Sequence, residues 1–231
     1  MKIVGNILFD DKGKQVPFKR SPNIGGQFKP EYIIIHYTAS SSADGAIYWM
    51  VSPQSKVSAH LHEDRSGNFV QLVPFTTVAW HAGQSEWKGT VGLNSHSIGI
   101  ELQNTGTQAY PQVQLDALAL ACKAICAVYQ IKEILGHSDI APGRKKDPGP
   151  QFPMEWLRKE VLSVEPTVNL VTTKKTTSDL NIRETGKPTA KIISTLPKGT
   201  DVNVLDEKDG WSSVFVCNSK IIGWVSSKYL S

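Results

Sequence analysis

IKEILGHSDIAPGRKKDPGP, residues 131–150, runs from a short apolar stretch into a segment punctuated by Gly and Pro. Ile131–Gly136 predicts a strand. Residues 136–150 do not suit a regular helix. Pro142 and Pro148 each lack a backbone donor and push the residue before them out of the α region. The prediction is therefore a strand that ends in an irregular loop, and loops held on a rigid scaffold are where chemistry concentrates. This loop carries His137, Lys145 and Asp147.

Working outward, Tyr32–His36 (YIIIH) is a continuous apolar run that ends in a histidine, the pattern of a strand buried on both faces. Ser97–Gln103 (SIGIELQ) is a second such strand. Between them, SSADGAIYWMVSP predicts a short helix with Ser42 as its cap and Pro53 beyond its end. Lys56–His62 and Asn68–Val73 flank the turn signal DRSG and predict a β-hairpin. Pro111–Tyr129 places Val113, Leu115, Leu118, Leu120, Ala121, Ile125 and Val128 at helical spacing, an amphipathic helix. Pro153–Val161 predicts a final short helix. Residues 1–30 read as an irregular lead-in with a short strand at Ile7–Phe9. Strands alternating with helices indicate an α/β domain around one mixed sheet flanked by helices.

Composition changes after residue 163. SVEPTVNLVTTKKTTS is rich in Thr, Ser and Lys with little to bury, and 164–177 reads as a linker. From 178 to 231, runs of about five strand-forming residues alternate with turn residues, the pattern of a small all-β barrel. The expected organisation is a catalytic domain over 1–163, a linker over 164–177 and a β domain over 178–231.

Charge excludes one broad class. Residues 1–163 hold 16 basic against 14 acidic side chains and residues 164–231 hold 9 against 7, a net +2 in each part. Neither has the basic excess of a nucleic-acid binder. Cys122 and Cys126 lie one helical turn apart and Cys217 sits in a β-like run, so three buried thiols are expected rather than a disulfide framework. There is no apolar run of 18 residues, so no membrane span is expected. The apolar stretch in MKIVGNILFDDKGK is too short for a secretory signal. The expectation is a cytoplasmic protein or one exported by a route that needs no leader, such as phage lysis or a secretion system.

Two predicted strand ends, His36 and His137, and the loop residue Asp147 can converge at one edge of a sheet. Two imidazoles and a carboxylate, with water in a fourth position, form a donor set suited to catalytic zinc. The alternative for each histidine is an ordinary polar residue closing a strand. Glu101 alternates with Ile98, Ile100 and Leu102, so it faces away from them. A carboxylate in such a strand is either an edge residue facing water or a general base. Lys145 shares a side of extended backbone with Asp147, and its ammonium is placed to stabilise an oxyanion. The alternative is a solvated basic turn together with Arg144 and Lys146. AWHAG, residues 79–83, offers Trp80 and His81 as a groove wall for a sugar or peptide.

Taken together, IIIHYTAS, KVSAH, GNFVQLVPF, AWHAGQSEW, LNSHSIGIELQNTG and GHSDIAPGRKKDPGP resemble the zinc-dependent N-acetylmuramoyl-L-alanine amidases of the Amidase_2 class, with an AmpD-like pattern. The resemblance covers roughly residues 30–160. It implies the peptidoglycan-recognition fold, one zinc per chain on His36, His137 and Asp147, and catalysis by Glu101 and Lys145. It places a basic substrate contact at Lys56, and Asn94 joins Trp80 and His81 as a further candidate contact. The implied ligands are peptidoglycan or muropeptides, and the expected state is a monomer. The stretch LNIRE…LPKGTDVNVL…GWSSVFV…GWVSSKYL resembles a bacterial SH3 domain, a module that commonly binds cell-wall peptide. The expected function is hydrolysis of the muramoyl–L-alanine amide for wall cleavage or remodelling. The alternatives are recycling of soluble anhydro-muropeptides and peptidoglycan binding without catalysis.

Overall fold

The computed structural model describes residues 1–162, 172–216, 219 and 221–231, arranged in two compact units, Met1–Thr167 and Val168–Ser231. In the first unit the strands are β1 (Lys2–Val4), β2 (Ile7–Phe9), β3 (Ile24–Gln27), β4 (Tyr32–Tyr37), β5 (Leu61–Glu63), β6 (Phe69–Gln71), β7 (Thr77–Ala79), β8 (Glu86–Trp87), β9 (Thr90–Val91), β10 (Ser97–Leu102) and β11 (Glu133–Gly136). The helices are α1 (Ala43–Val51), α2 (Gln112–Cys126), α3 (His137–Ile140) and α4 (Met154–Leu162). The second unit contains β12 (Thr172–Lys175), β13 (Leu180–Arg183), β14 (Ile192–Leu196), β15 (Asp201–Lys208), β16 (Trp211–Val216) and β17 (Ile221–Ser226).

The first unit is built on a five-stranded mixed sheet in the order β11-β4-β10-β5-β6. β11, β4, β10 and β5 run parallel, and β6 returns antiparallel to β5. Strict alternation divides the two faces. Ile33, Ile35, Ile98, Ile100, Leu102 and Leu61 point into the main core, where they meet Leu115, Leu118, Cys122 and Ile125 of α2 and Leu157 and Val161 of α4. The other face carries Ile34, His36, Gly99, Glu101, His60 and His62, and it is the face that matters for function. α1 starts where Ser42 Oγ accepts the Gly45 N–H at 3.0 Å, the predicted cap.

Several expectations need correction. Residues 1–30 are not wholly irregular. β1 and β2 form a hairpin across Gly5 and Asn6, both at positive φ, as a tight two-residue turn requires, and β3 pairs with β7. His137–Ile140 is one helical turn inside the predicted loop, because the helix ends before Pro142 makes itself felt. Its start is held by Asp139 Oδ2, which accepts the Gly136 N–H at 2.9 Å. Of the stretch read as a linker, the part up to residue 171 lies outside the described residues, and Thr172–Lys175 forms an edge strand against β15. Cys217 also lies outside the described residues. Cys122 and Cys126 are free thiols, the first buried.

The second unit is a six-stranded antiparallel sheet in the order β12-β15-β16-β17-β13-β14. Its small core of Leu180, Ile182, Leu196, Val202, Val214, Val216 and Val225 follows the alternation of the strands.

Candidate active site

The parallel strands deliver their functional residues to one edge, since all carboxyl ends point the same way. Register does the rest. Glu101 of β10 lies directly beside His36 of β4 on one side and His62 of β5 on the other. Gly136 of β11 pairs with Ile35, so His137 falls one residue further on, in the same row as His36. Asp147 reaches the row from the loop, whose backbone is tied back where Asp147 O accepts the Ser138 N–H at 2.9 Å. Pro148 lies over Gly136, where a Cβ would fall 2.8 Å from Pro148 Cδ, so only glycine lets the loop approach this closely. Tyr110 donates its hydroxyl to Pro148 O at 2.8 Å.

Three donor atoms meet. His36 Nδ1 lies 2.9 Å from His137 Nδ1 and 3.0 Å from Asp147 Oδ2, and the His137 and Asp147 atoms are 2.9 Å apart. His137 Nε2 lies 3.1 Å from Ala82 O, a carbonyl that can only accept, and the Arg144 guanidinium, 3.5 Å from Nε2, donates to that carbonyl at 2.8 Å rather than to the ring; the shorter contact puts the proton on Nε2 and turns the Nδ1 lone pair inward. A single proton satisfies one contact in such a triangle at a time, whereas one cation satisfies all three. Two imidazole nitrogens and a carboxylate therefore fit a borderline divalent metal. Burial lowers His36 to about 4, which keeps it in the neutral, ligating form. Burial also holds His81 well below its usual value.

Glu101 is half-buried at the foot of the cleft, and its Oε2 is shielded from solvent with no hydrogen-bond partner among the described residues. Burial raises its carboxyl to about 8, the nearby Asp147 charge adds to this, and Lys145 opposes it. A cleft of about 460 Å³ opens over the row, lined by Glu101, His137 and Asp147 at the base and by Tyr37, Trp80 and Lys145 among its walls.

Of the remaining predicted residues, Trp80 and His81 reach the cleft, whereas Lys56 and Asn94 are not among its lining. Asn94 is used internally: its Oδ1 accepts the backbone N–H groups of His81 at 2.9 Å and Ala82 at 2.6 Å, which fixes the AWHAG turn. Arg144, exposed as the alternative of a solvated basic turn has it, also donates to Ala82 O at 2.8 Å and to Gln84 O, bracing the AWHAG turn from outside. His60 and His62 are buried on the functional face and were not singled out by sequence reasoning. The alternation in SAHLH would have placed them there with Glu101.

Comparison with known proteins identifies the family. Residues 26–150 match the family described as N-acetylmuramoyl-L-alanine amidase, and residues 178–231 match the bacterial SH3 domain. The chain is 40% identical over 139 residues to the 1,6-anhydro-N-acetylmuramyl-L-alanine amidase AmpD of Escherichia coli K12, covering 59% of this chain and 75% of that protein. It is 37% identical over 157 residues to the N-acetylmuramoyl-L-alanine amidase AmiD of the same organism, covering 60% and 56%. Among solved structures, a selenomethionine AmpD derivative superposes with a TM-score of 0.59 at 32% identity, over 70% of this chain and 99% of the other. The complex of E. coli AmiD with the substrate anhydro-N-acetylmuramic acid-L-Ala-D-γ-Glu-L-Lys superposes with a TM-score of 0.54 at 35% identity, over 66% and 65%.

Proposed function

We infer, since the chain belongs to the N-acetylmuramoyl-L-alanine amidase family, that this cleft hydrolyses the muramoyl–L-alanine amide with a zinc ion held by His36, His137 and Asp147. The observation that carries the reading is the triangle of three inward-facing acceptor atoms beside a half-buried carboxyl whose Oε2 is unpartnered among the described residues. Bound there, zinc would supply a Lewis acid that polarises the scissile carbonyl and lowers the pKa of water to about 7.

The chain's own residues supply the rest. Glu101 lies beside His36 in the row, with a carboxyl whose affinity for a proton is tuned by burial towards working pH. It accepts the proton of the attacking water at a carboxylate oxygen and returns it to the leaving amine of L-alanine. Lys145, on the cleft wall, stabilises the negative oxygen that develops on the carbonyl. Trp80, 37% exposed, offers an aromatic face to the glycan or peptide.

Residues 1–163 are read as the catalytic domain and 178–231 as a bacterial SH3 module that tethers it to the wall. A tether raises the local concentration of an insoluble substrate without altering the chemistry. Intact peptidoglycan is therefore the first substrate proposed. The second reading, turnover of soluble anhydro-muropeptides, is favoured by the names of the AmpD relatives. Digestion of intact sacculi and of a soluble anhydro-muropeptide in parallel, with products identified by mass spectrometry, separates them. Release of free stem peptide mainly from sacculi supports the first, and release mainly from the soluble substrate supports the second.

A further inference from the structure

His36 Nε2, on the far side of the ring from the donor triangle, lies 3.0 Å from Nδ1 of His81. His81 Nε2 lies 3.3 Å from Ser97 O and 3.5 Å from Ser97 Oγ. The Ser97 hydroxyl proton is committed to Leu93 O at 2.5 Å, so both Ser97 oxygens face His81 as acceptors. The proton of the His81 ring therefore sits on Nε2, and its Nδ1 carries a lone pair. Among the described residues, the partner that suits this lone pair is an N–H on His36 Nε2. That assignment leaves His36 Nδ1 unprotonated and facing His137 and Asp147.

We propose that His81 is a positioning residue for the metal site: anchored on Ser97, it selects the His36 tautomer and ring orientation that ligate through Nδ1. The proposal rests on the metal reading above and extends it beyond the three ligands to the group that prepares one of them.

Independent features hold His81 in place. Its backbone N–H is fixed by Asn94 Oδ1. Its ring lies over Gly99, where a Cβ would come within 2.4 Å of His81 Cγ, so any side chain at position 99 would displace the imidazole. On the remaining side His60 packs edge-on against it, with ring centroids 5.8 Å apart. His60 is itself fixed, accepting the Gly99 N–H at Nδ1 at 3.0 Å and donating from Nε2 to Thr77 O at 3.0 Å. The chain from Ser97 through His81 to His36 thus uses carbonyl acceptors, whose role is not ambiguous, to set a protonation pattern two rings away. Loss of such a partner typically weakens metal binding by about 10–100-fold.

The test uses the full-length chain. Zinc affinity is measured by competition with a chromophoric chelator for the parent protein, His81→Phe and His81→Asn. Phe keeps the bulk and removes the acceptor, whereas Asn carries its carbonyl oxygen where His carries Nδ1. The expected result is a loss of about 10–100-fold for His81→Phe, most of it recovered by His81→Asn. Parent-like affinity in His81→Phe, or an Asn variant no tighter than the Phe variant, overturns the proposal. A second measurement needs no variant: ¹⁵N shifts of the imidazoles in metal-free parent protein. Protonation of both His36 and His81 at Nε2 is expected, and a proton on His81 Nδ1 overturns the proposal whether or not zinc binds. A parent protein that binds no zinc refutes the metal reading instead, and the shifts still decide the His81–His36 bond.

Discussion

Replacing Glu101 by Gln tests the raised carboxyl in a way that does not depend on turnover. The ordinary value for this group is 4.5, and burial together with the Asp147 charge raises it to about 8. Between those values the folded chain keeps a proton that the unfolded chain releases, so stability falls as pH rises through the interval and levels off above about 8. The buried imidazoles act in the opposite sense at lower pH. Burial lowers His36 and His62 to about 4 and His60 to about 3, so their penalty fades as pH rises through 6.5, where the unfolded imidazoles lose their charge, and it is the same in parent and variant. The window from 6.5 to about 8 carries the raised carboxyls, Glu101 and Glu63, together with the last of the imidazole titration, and the comparison with Glu101→Gln isolates Glu101. At about 1.4 kcal/mol per pH unit, Glu101 costs the parent about 2 kcal/mol across that window. The assay is urea unfolding of chelator-treated parent and variant at pH 6.5, 7.2 and 8.0, because a bound cation would itself shift the carboxyl. The stability difference between the two should change by about 2 kcal/mol in favour of the variant as pH rises. Parallel curves would refute the claim that Glu101 is held protonated by burial.

Other outcomes follow from the same geometry. His36→Ala should abolish amidase activity and lower zinc content measured by elemental analysis, and chelator should inactivate the parent until zinc is returned; full zinc occupancy in the variant would sink the ligand assignment. Lys145→Ala should reduce kcat by about 10²–10³, the usual loss for one oxyanion stabiliser, with zinc content unchanged; a variant with undiminished kcat removes Lys145 from the mechanism. Ending the chain before residue 164 should leave hydrolysis of a soluble muropeptide nearly unchanged while slowing digestion of sacculi and weakening co-sedimentation with them. A truncated protein that pellets as well as the full chain rules out the tether.

Local signals in the sequence were informative where one element sufficed to determine them. YIIIH and SIGIEL declare buried strands by apolar continuity and Ser42 declares the start of α1, whereas of the apolar positions read at helical spacing Leu115, Leu118, Ala121 and Ile125 are buried and Val113, Leu120 and Val128 are exposed. Spacing alone left His36, His137 and Asp147 as one grouping among several that six histidines allow, and it was the ordered set of motifs resembling the amidase class that singled it out; the structure brings the three together. What was not legible depends on partners remote in the chain. Asn94 looks like a free amide until its oxygen is seen to hold two N–H groups twelve and thirteen residues earlier. Arg144 looks like one of three solvated cations until its guanidinium is seen on Ala82 O. Thr172–Lys175 has linker composition because an edge strand has little to bury and benefits from charge.

The two faces of the sheet also explain why the fold tolerates its site. On the functional face, among the described residues, the Glu101 carboxyl lacks a partner at Oε2, His62 lacks one at Nε2, and three acceptors crowd within 3.0 Å of one another. Each unpartnered group costs on the order of 1–3 kcal/mol. The same strands offset this from their other side, where Ile33, Ile35, Ile98, Ile100 and Leu102 are fully buried, and full burial of each such side chain contributes about 1.5–3 kcal/mol. The alternation that sends Ile100 and Leu102 into the core is what forces Glu101 the other way. A slip of one residue in β10 would exchange the faces, putting the carboxylate under α2 and two large aliphatic side chains into the cleft. The register that stabilises the sheet is therefore the same register that sets Glu101 beside His36, and neither the fold nor the row of reactive groups is available without the other.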